Sequence, residues 1–503
     1  MPADKSQRIR YSDFSGGDYG ETSPDRAPAN TFSAKNMVVY NTGLIGPRAG
    51  VKSLGFSSKP TGVVMGMFWR GTNPDLAVIV GTTVYRATVT APGAMTSFTG
   101  ALASTPTQQV RGFEYGNKDL YITSFGDKSY VLDFVGGTLT ALAGSPGGYD
   151  IALYGERMMV TGASGFLTRV YYSDAGDFTT WGATNWFDVP NSSGAATGGF
   201  AQRNQFSVLT QNGEWHALTG LPTTGTLRRV TGGGVHPWTA FADCAALLGS
   251  DQIIFVPISA DYPAVFNGST VQEKRYLRLN DTTAQLGLTT VKVVKGFRPD
   301  EAVILFPLTD KGGLYRNGVW TRHTFGVDIS VYATSDGQGH IHLTDGGGVA
   351  SQPNFWIWSI DLSRPAFTSD TYAQPGDAST TPLDAEVTFP EFWAEEGNEV
   401  RVRKVTVDFT KWATGSATDN GFTVTPTSHS RWEMPDGLAA TAQTWSEPGA
   451  SATTSGVRSR KTFLFGPESR FGGGISLKLS AVKGVAFQDI VVELDVRPKS
   501  PRS

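Results

Sequence analysis

The feature that most limits how this chain can fold is a recurrence. Between Leu76 and Ser359 a short apolar strand is followed seven times, after a turn, by a second strand that carries an aromatic residue. Examples are "LAVIVGTTVYRATV" from Leu76, "RMMVTGASGFLTRVYYSD" from Arg157 and "IHLTDGGGVASQPNFWIWS" from Ile341. The marker aromatics are Tyr85, Tyr130, Tyr171, Trp215, Phe266, Tyr315 and Trp356, set 41 to 51 residues apart. That interval suits the roughly 40–50 residues of a four-stranded propeller blade, with each passage supplying the hairpin in the blade's middle. The spacing therefore predicts an all-β fold over residues 56–361, a β-propeller of about seven blades. Its irregularity leaves six or eight compatible, as it does a blade completed by a strand distant in sequence. A large β-sandwich with chance spacing is the competing reading. With 60 Gly, 27 Pro and only 17% charged residues, the chain has the makings of short strands and tight turns.

The flanks differ. Residues 1–55 are rich in Gly, Pro and Asn without sustained periodicity, which predicts an extended N-terminal arm that gains order by lying on a neighbour. Arg8 and Arg10, the one early basic cluster, are assigned to contacts with a neighbouring protein. Residues 362–385 form a Pro/Ser/Thr-rich linker. Beyond it, "VRVRKVTVDFT" from Val400 alternates strictly until the phase slips at Lys404, as a bulge would cause. With four further strand-like runs, residues 386–503 read as a β-sandwich of five or six strands, large enough to fold alone.

Bulk properties exclude several functions. A net charge of -3, from 42 basic and 45 acidic residues, gives no footprint for wrapping nucleic acid. A single cysteine, Cys244, rules out an intrachain disulfide and a multi-cysteine zinc cluster. No apolar run at the N-terminus suits an export signal and no stretch reaches the ~18 apolar residues of a membrane span, so synthesis in a cytoplasm without membrane insertion is expected. His340 and His342 share a strand face near Asp345 and suit a metal in principle, but a polar strand face explains them as well. The glycines at 232–234 lack the Lys and helix of a phosphate loop, and Glu391, Glu395, Glu396 and Glu399 read as a solvated loop. No cofactor and no catalytic constellation are expected.

The stretch "YYSDAGDFTTW" from Tyr171 resembles the Asp box of sialidases through Ser173, Asp174, Gly176 and Trp181. Ser173 and Asp174 are adjacent, however, and Trp181 lies five residues past Gly176, so the spacing departs from Ser-x-Asp-x-Gly-x-x-Trp. The box is itself a turn device, in which Ser and Asp accept backbone N–H groups and the Trp packs into the blade. One degenerate copy predicts the turn of the third blade's hairpin rather than hydrolysis. Trp181, Trp186, Trp356 and Trp358 are sugar-stacking candidates if the propeller binds host glycans, and blade packing residues if it does not.

The arm carries the most specific likeness. Phe14, Gly16 and Gly17, then Pro24 and Pro28, Asn36, and a close of Gly43, Arg48 and Gly50 resemble the opening of tail proteins from tailed bacteriophages. "LYGERMMVTGASGFLTRVYYSDAGDFTTW" is similar to a Gly-Glu/Asp-Arg strand leading to a Tyr-Ser-Asp hairpin in the same proteins. The family implied is the tail nozzle, or tail-tube stabilising hub, of short-tailed phages. That resemblance implies a non-enzymatic virion protein in the tail, assembled in the host cytoplasm. It implies a homo-oligomeric, hexameric ring below the portal and adaptor, with spikes or fibres as further partners and DNA passing through without specific binding. A minor tail protein of a long-tailed phage and a glycan-binding or sialidase-like propeller are the alternatives.

Overall fold

The structure is a computed structural model. It describes residues 5–14, 32–41, 43–47, 51–70, 75–116, 119–189, 194–211, 213–230, 245–256, 263–273, 292–296, 298, 300–305, 309–316, 318–335, 339–345, 355–361, 385–396, 398–411, 421–430, 434–446, 458–466 and 470–499. All of the linker assigned to 362–385 except Ala385, the glycines at 232–234 and Cys244 lie outside these, as do Gly16, Gly17, Pro24, Pro28, Arg48 and Gly50.

The chain folds as a seven-bladed β-propeller joined to a β-sandwich. Blades 1 to 5 are four-stranded antiparallel meanders built from contiguous stretches, 64–97, 111–141, 150–188, 196–229 and 245–273. Blade 6 uses Lys292–Lys295, Glu301–Leu305, Thr309–Arg316 and the first half of the long strand Val319–Ser335. The second half of that strand turns into blade 7, where it pairs with His340–Asp345, which pairs with Ile357–Asp361. Blade 7 takes its fourth strand from the arm, Val51–Ser53, in the register Ser53 opposite Trp358 and Val51 opposite Ile360.

The predicted hairpins are the second and third strands of every blade. Tyr85, Tyr130, Tyr171, Trp215, Phe266 and Tyr315 lie on third strands, and Trp356 directly precedes one. Seven apolar clusters fill the seven joints between neighbouring blades. Ala77 and Ile79 meet Leu120, Ile122 and Tyr130 between blades 1 and 2, and Trp215 meets Phe255 and Phe266 between blades 4 and 5. Phe355 and Ile357 of blade 7 pack on Val64, Leu76 and Val78 of blade 1, which closes the ring. A meander blade presents two apolar faces, so each hairpin is stable only between two neighbours.

The arm is corrected by the structure. Its described residues supply five strands to this chain's own cores. Lys5–Tyr11 pairs along Ile490–Val496, and Met37–Asn41 pairs with Leu44–Pro47, which meets the sandwich sheet where Ile45 faces Phe487. In Met37–Asn41, Met37 and Val39 enter the sandwich core while Val38 and Tyr40 enter the joint between blades 6 and 7. The strict two-residue alternation is present, but both faces are apolar because both are covered. Asn36 precedes this strand in the left-handed region at φ 56° and donates its N–H to the Arg322 carbonyl at 3.0 Å, tying the arm to blade 6.

The sandwich likewise differs from a self-sufficient unit of 386–503. Asn398–Lys411, Arg458–Leu464 and Val485–Pro498 form one sheet with three arm strands. The other sheet sets Glu386–Trp393, Gly474–Lys483 and Gly421–Ser430 beside the arm strand Ser33–Lys35. Phe14, Phe32 and Met37 from the arm are fully enclosed in its core beside Val405, Phe409, Phe422 and Leu477. The bulge expected at Lys404 is there: Val402 faces Leu494 and Lys404 faces Glu493, leaving Arg403 as the extra residue.

Candidate functional site

The first strands of all seven blades line a central channel of about 750 Å³. Its polar centre is Asp150 at the start of blade 3's first strand. The carboxylate lies 3.4 Å from Arg111 Nε on blade 2 and accepts the Gly199 N–H of blade 4 at 2.9 Å. Burial pushes this carboxyl's pKa up, opposed by the Arg111 charge and the amide bonds. Asp150 thus staples three consecutive blades. Gly199 leaves room for the approach, since a Cβ there would strike the Phe206 ring and the Thr161 methyl. Neither Arg111 nor Asp150 stood in any sequence motif; each simply opens an inner strand.

The channel is narrow. About 750 Å³ of free space between first strands of four to seven residues is a small fraction of what a duplex passing through would occupy. A DNA duplex, whose two grooves are themselves about 8.5 and 7.5 Å deep, is far wider.

Ser173, Asp174, Gly176 and Trp181 come together in a long loop that closes an antiparallel strand pair of blade 3. They form the link from blade 3's third strand, Phe166–Tyr172, to its fourth, Trp186–Asp188. Ser173 Oγ accepts the Met158 N–H at 3.0 Å, Arg157 donates to the Ser173 carbonyl at 2.7 Å, and Asp174 accepts from the Asn185 amide at 2.7 Å. Gly176 takes φ 72° while its N–H reaches the Glu156 carbonyl. Asp177, not singled out in the sequence, binds the Thr179 N–H and the hydroxyls of Thr179 and Thr180 at 2.7–2.8 Å, and these bonds hold its pKa down at about 2. Trp181 packs on the joint between blades 2 and 3 and donates to the Phe178 carbonyl. These bonds hold the loop's shape.

The other candidates also resolve into packing. His342 is buried and stacks on Trp69 with ring centroids 5.1 Å apart. Among the described residues no group of three His, Cys, Asp or Glu side chains could hold a metal. Trp358 is buried in the joint between blades 6 and 7, Lys59 Nζ sits 3.0 Å above the Trp356 ring, and Arg169 lies 3.7 Å over Trp186. The run read as a solvated loop is strand at both ends: Glu391 lies in Glu386–Trp393, 3.6 Å from His429, and Glu399 lies in Asn398–Lys411 and pairs with Arg497 at 3.0 Å.

The outer face of the sandwich carries the densest charge. Glu493 meets Arg8, Arg403 and Lys404, and Asp495 meets Arg401. Arg10 grips Asp489 through Nε and Nη2, and Arg460 grips Asp408 the same way. Arg8 and Arg10 thus lie against carboxylates of their own chain, with their side chains largely exposed. A cavity of about 690 Å³ on this face is lined by Arg10, Arg458 and Arg460 against Asp408 and Asp489. Arg458 donates to Gln488 at 2.6 Å and, among the described residues, pairs with no carboxylate.

No protein-family model matches the chain, and no curated protein matches its sequence. Solved structures similar to it include one described as a β-propeller domain. The β-propeller domain of Cps50 (Swd1) from Myceliophteria thermophila aligns over 61% of this chain and 99% of its own, at 9% identity and a TM-score of 0.46. The N-terminal domain of Nup159 aligns over 65% and 98%, at 9% identity and 0.37. YCF48 bound to D1 peptide aligns over 67% and 99%, at 11% identity and 0.40.

Proposed function

We propose that this protein is a structural component of a bacteriophage tail, a nozzle or hub subunit that forms a ring around the DNA exit channel below the portal and adaptor. The observation that carries the reading is the double use of the arm. The segment whose Phe14, Asn36 and Gly43 resemble the opening of phage tail proteins is also the segment that welds propeller and sandwich into one body. A subunit that must withstand assembly and ejection gains from such a weld, because neither part can swing on a linker. The narrow bore of the propeller supports a DNA path between copies rather than through a blade ring. The ion-paired outer face, with few unpaired cations, would hold passing phosphates weakly.

The reading has the protein in the virion, with further copies, an adaptor or portal-side protein, and spikes or fibres as partners, and with no chemistry of its own. Mass photometry and negative-stain microscopy of the purified protein, alone and with the cognate adaptor ring, test it. Closed rings, hexameric if the family likeness holds, are expected. A particle that stays monomeric even with the adaptor present would defeat the reading.

A further inference from the structure

The structural role asks for no chemistry, yet the sandwich brings a hydroxyl, an imidazole and a carboxylate into line. Ser476 sits in Gly474–Lys483 between Ile475 and Leu477, which enter the core, so its hydroxyl lies on the opposite, polar face of the sheet. Thr427 is directly across from Ser476 and His429 across from Gly474, which sets the imidazole diagonally beside the hydroxyl. Ser476 Oγ is 2.8 Å from His429 Nε2, and His429 Nδ1 is 3.6 Å from Glu391 Oε1. A bulge aims the carboxylate. Phe389 faces Leu477 and Phe392 faces Ile475, so Pro390 and Glu391 stand against the single Ser476.

Each group fixes the role of the next. A carboxylate only accepts, so Glu391 draws the imidazole proton to Nδ1 and leaves Nε2 as the acceptor for the Ser476 hydroxyl. At 3.6 Å the outer link is longer than a hydrogen bond, as catalytic contacts often are before substrate tightens them. The setting is recessed: Ser476 and His429 are 9% and 8% exposed, and Trp393 walls one side with its ring 6.4 Å from the imidazole. The indole lies over Gly474, where a Cβ would strike it, and Gly472 packs on the His429 main chain. The next charges on this face, Lys478 and Glu386, are 2.6 Å apart and satisfy each other.

We propose that Ser476, His429 and Glu391 form an acyl-transfer site that hydrolyses small activated esters, an activity beyond the tail reading and independent of it. Ser476 Oγ attacks the ester carbonyl carbon as its proton passes to His429 Nε2. The bond from that carbon to the alcohol oxygen then breaks, and the alcohol leaves with the proton. Water attacks the acyl-serine, gives a proton to His429 Nε2, and the acid departs as Ser476 Oγ takes that proton back. Ser476 and His429 are the catalytic residues; Glu391 is a positioning residue that holds the imidazole and opposes its charge. The three side chains supply no oxyanion donor, a contribution of about 10²–10³ in rate. An aryl ester, whose good leaving group depends on that donor least, is therefore the substrate class, with an acyl group short enough to pass Trp393.

The test treats the full chain with a fluorophosphonate probe and, separately, with p-nitrophenyl acetate. Wild-type protein should take up the probe at Ser476, mapped by peptide mass spectrometry, and should hydrolyse the ester with saturation. Ser476→Ala removes only a hydroxyl, should melt as wild type does, and should abolish both signals. His429→Gln should lower kcat about 100-fold or more. Glu391→Gln should lower kcat about tenfold or more with KM unchanged, and Glu391→Asp should recover part of the loss. A wild-type chain that takes up no probe, an adduct mapped to another residue, or hydrolysis equal in wild type and Ser476→Ala would overturn the proposal. Any of these results leaves ring assembly, and the tail reading with it, untouched.

Discussion

Blades 1 to 5 and the rest of the molecule are built on different principles. Each of the first five blades is a local meander whose strands follow one another in the chain, so every ladder is closed within about 40 residues. Blades 6 and 7 and the sandwich share strands, and both are completed by residues 5–53. Removing one hairpin from the first region damages one blade and its two joints. Removing the arm from the second opens blade 7, strips strands from both sandwich sheets and uncovers the joint between blades 6 and 7.

The sharpest way to break this comparison is to delete residues 1–53. Loss of soluble, cooperatively melting protein is expected, followed by proteolysis of 386–499 ahead of 64–273. A deletion product with an intact melt would show that the arm is dispensable. The next largest effect is in blade 6, where Arg316 places Nε and Nη2 at 2.7 Å from Glu301 Oε2 with both side chains buried. Glu301→Ala leaves a cation enclosed and should cost about 3–5 kcal/mol in urea unfolding. Gly313→Ala comes third: its Cβ would press on the Trp320 indole in the same blade, at about 1–3 kcal/mol.

Two exposed sites should show the smallest changes. Arg10→Ala removes a solvent-washed pair with Asp489 and should leave the melting temperature unchanged at moderate salt, in contrast to Glu301. The blade 3 loop supplies a pH signature. Asp177 has a folded pKa of about 2, below its unfolded value, so its contribution is complete above roughly pH 4 and fades as the pH falls towards 2. Carboxyl-carbon NMR should find it ionised at pH 3, and a midpoint near 4 would mean that the Thr179 and Thr180 bonds do not form in solution.

The same division explains what the sequence revealed. Hairpins such as Asp75–Val80 with Thr83–Thr88 were legible because the strand, the turn and the marker Tyr85 are neighbours in the chain. The bulge at Lys404 was legible for the same local reason. The arm was not. Met37–Asn41 has no polar face to give a visible alternation, and the side chains that cover its two faces lie hundreds of residues away, Val303 and Phe487 among them. The ion-paired sandwich face left a faint signal in the two alternating strands: "VRVRK" is basic on its polar positions and "VVELDV" acidic. Asp150 with Arg111 and Gly199 left none, since three inner strands bring them together only when the ring closes.

The clasp between the ends of the sequence also fixes a timetable. Arg10 and Asp489 are 479 positions apart, so at about 5–20 residues per second the first strand waits roughly 25–100 s for its partner to be synthesised. Blades 1 to 5 can form on the ribosome as they emerge. Blade 7 and the sandwich must then close around a segment synthesised before any of the blades. Until that happens Phe14, Phe32 and Met37 lack the sandwich core that covers them in the folded chain, and exposed apolar strand of this kind is prone to pairing with other chains.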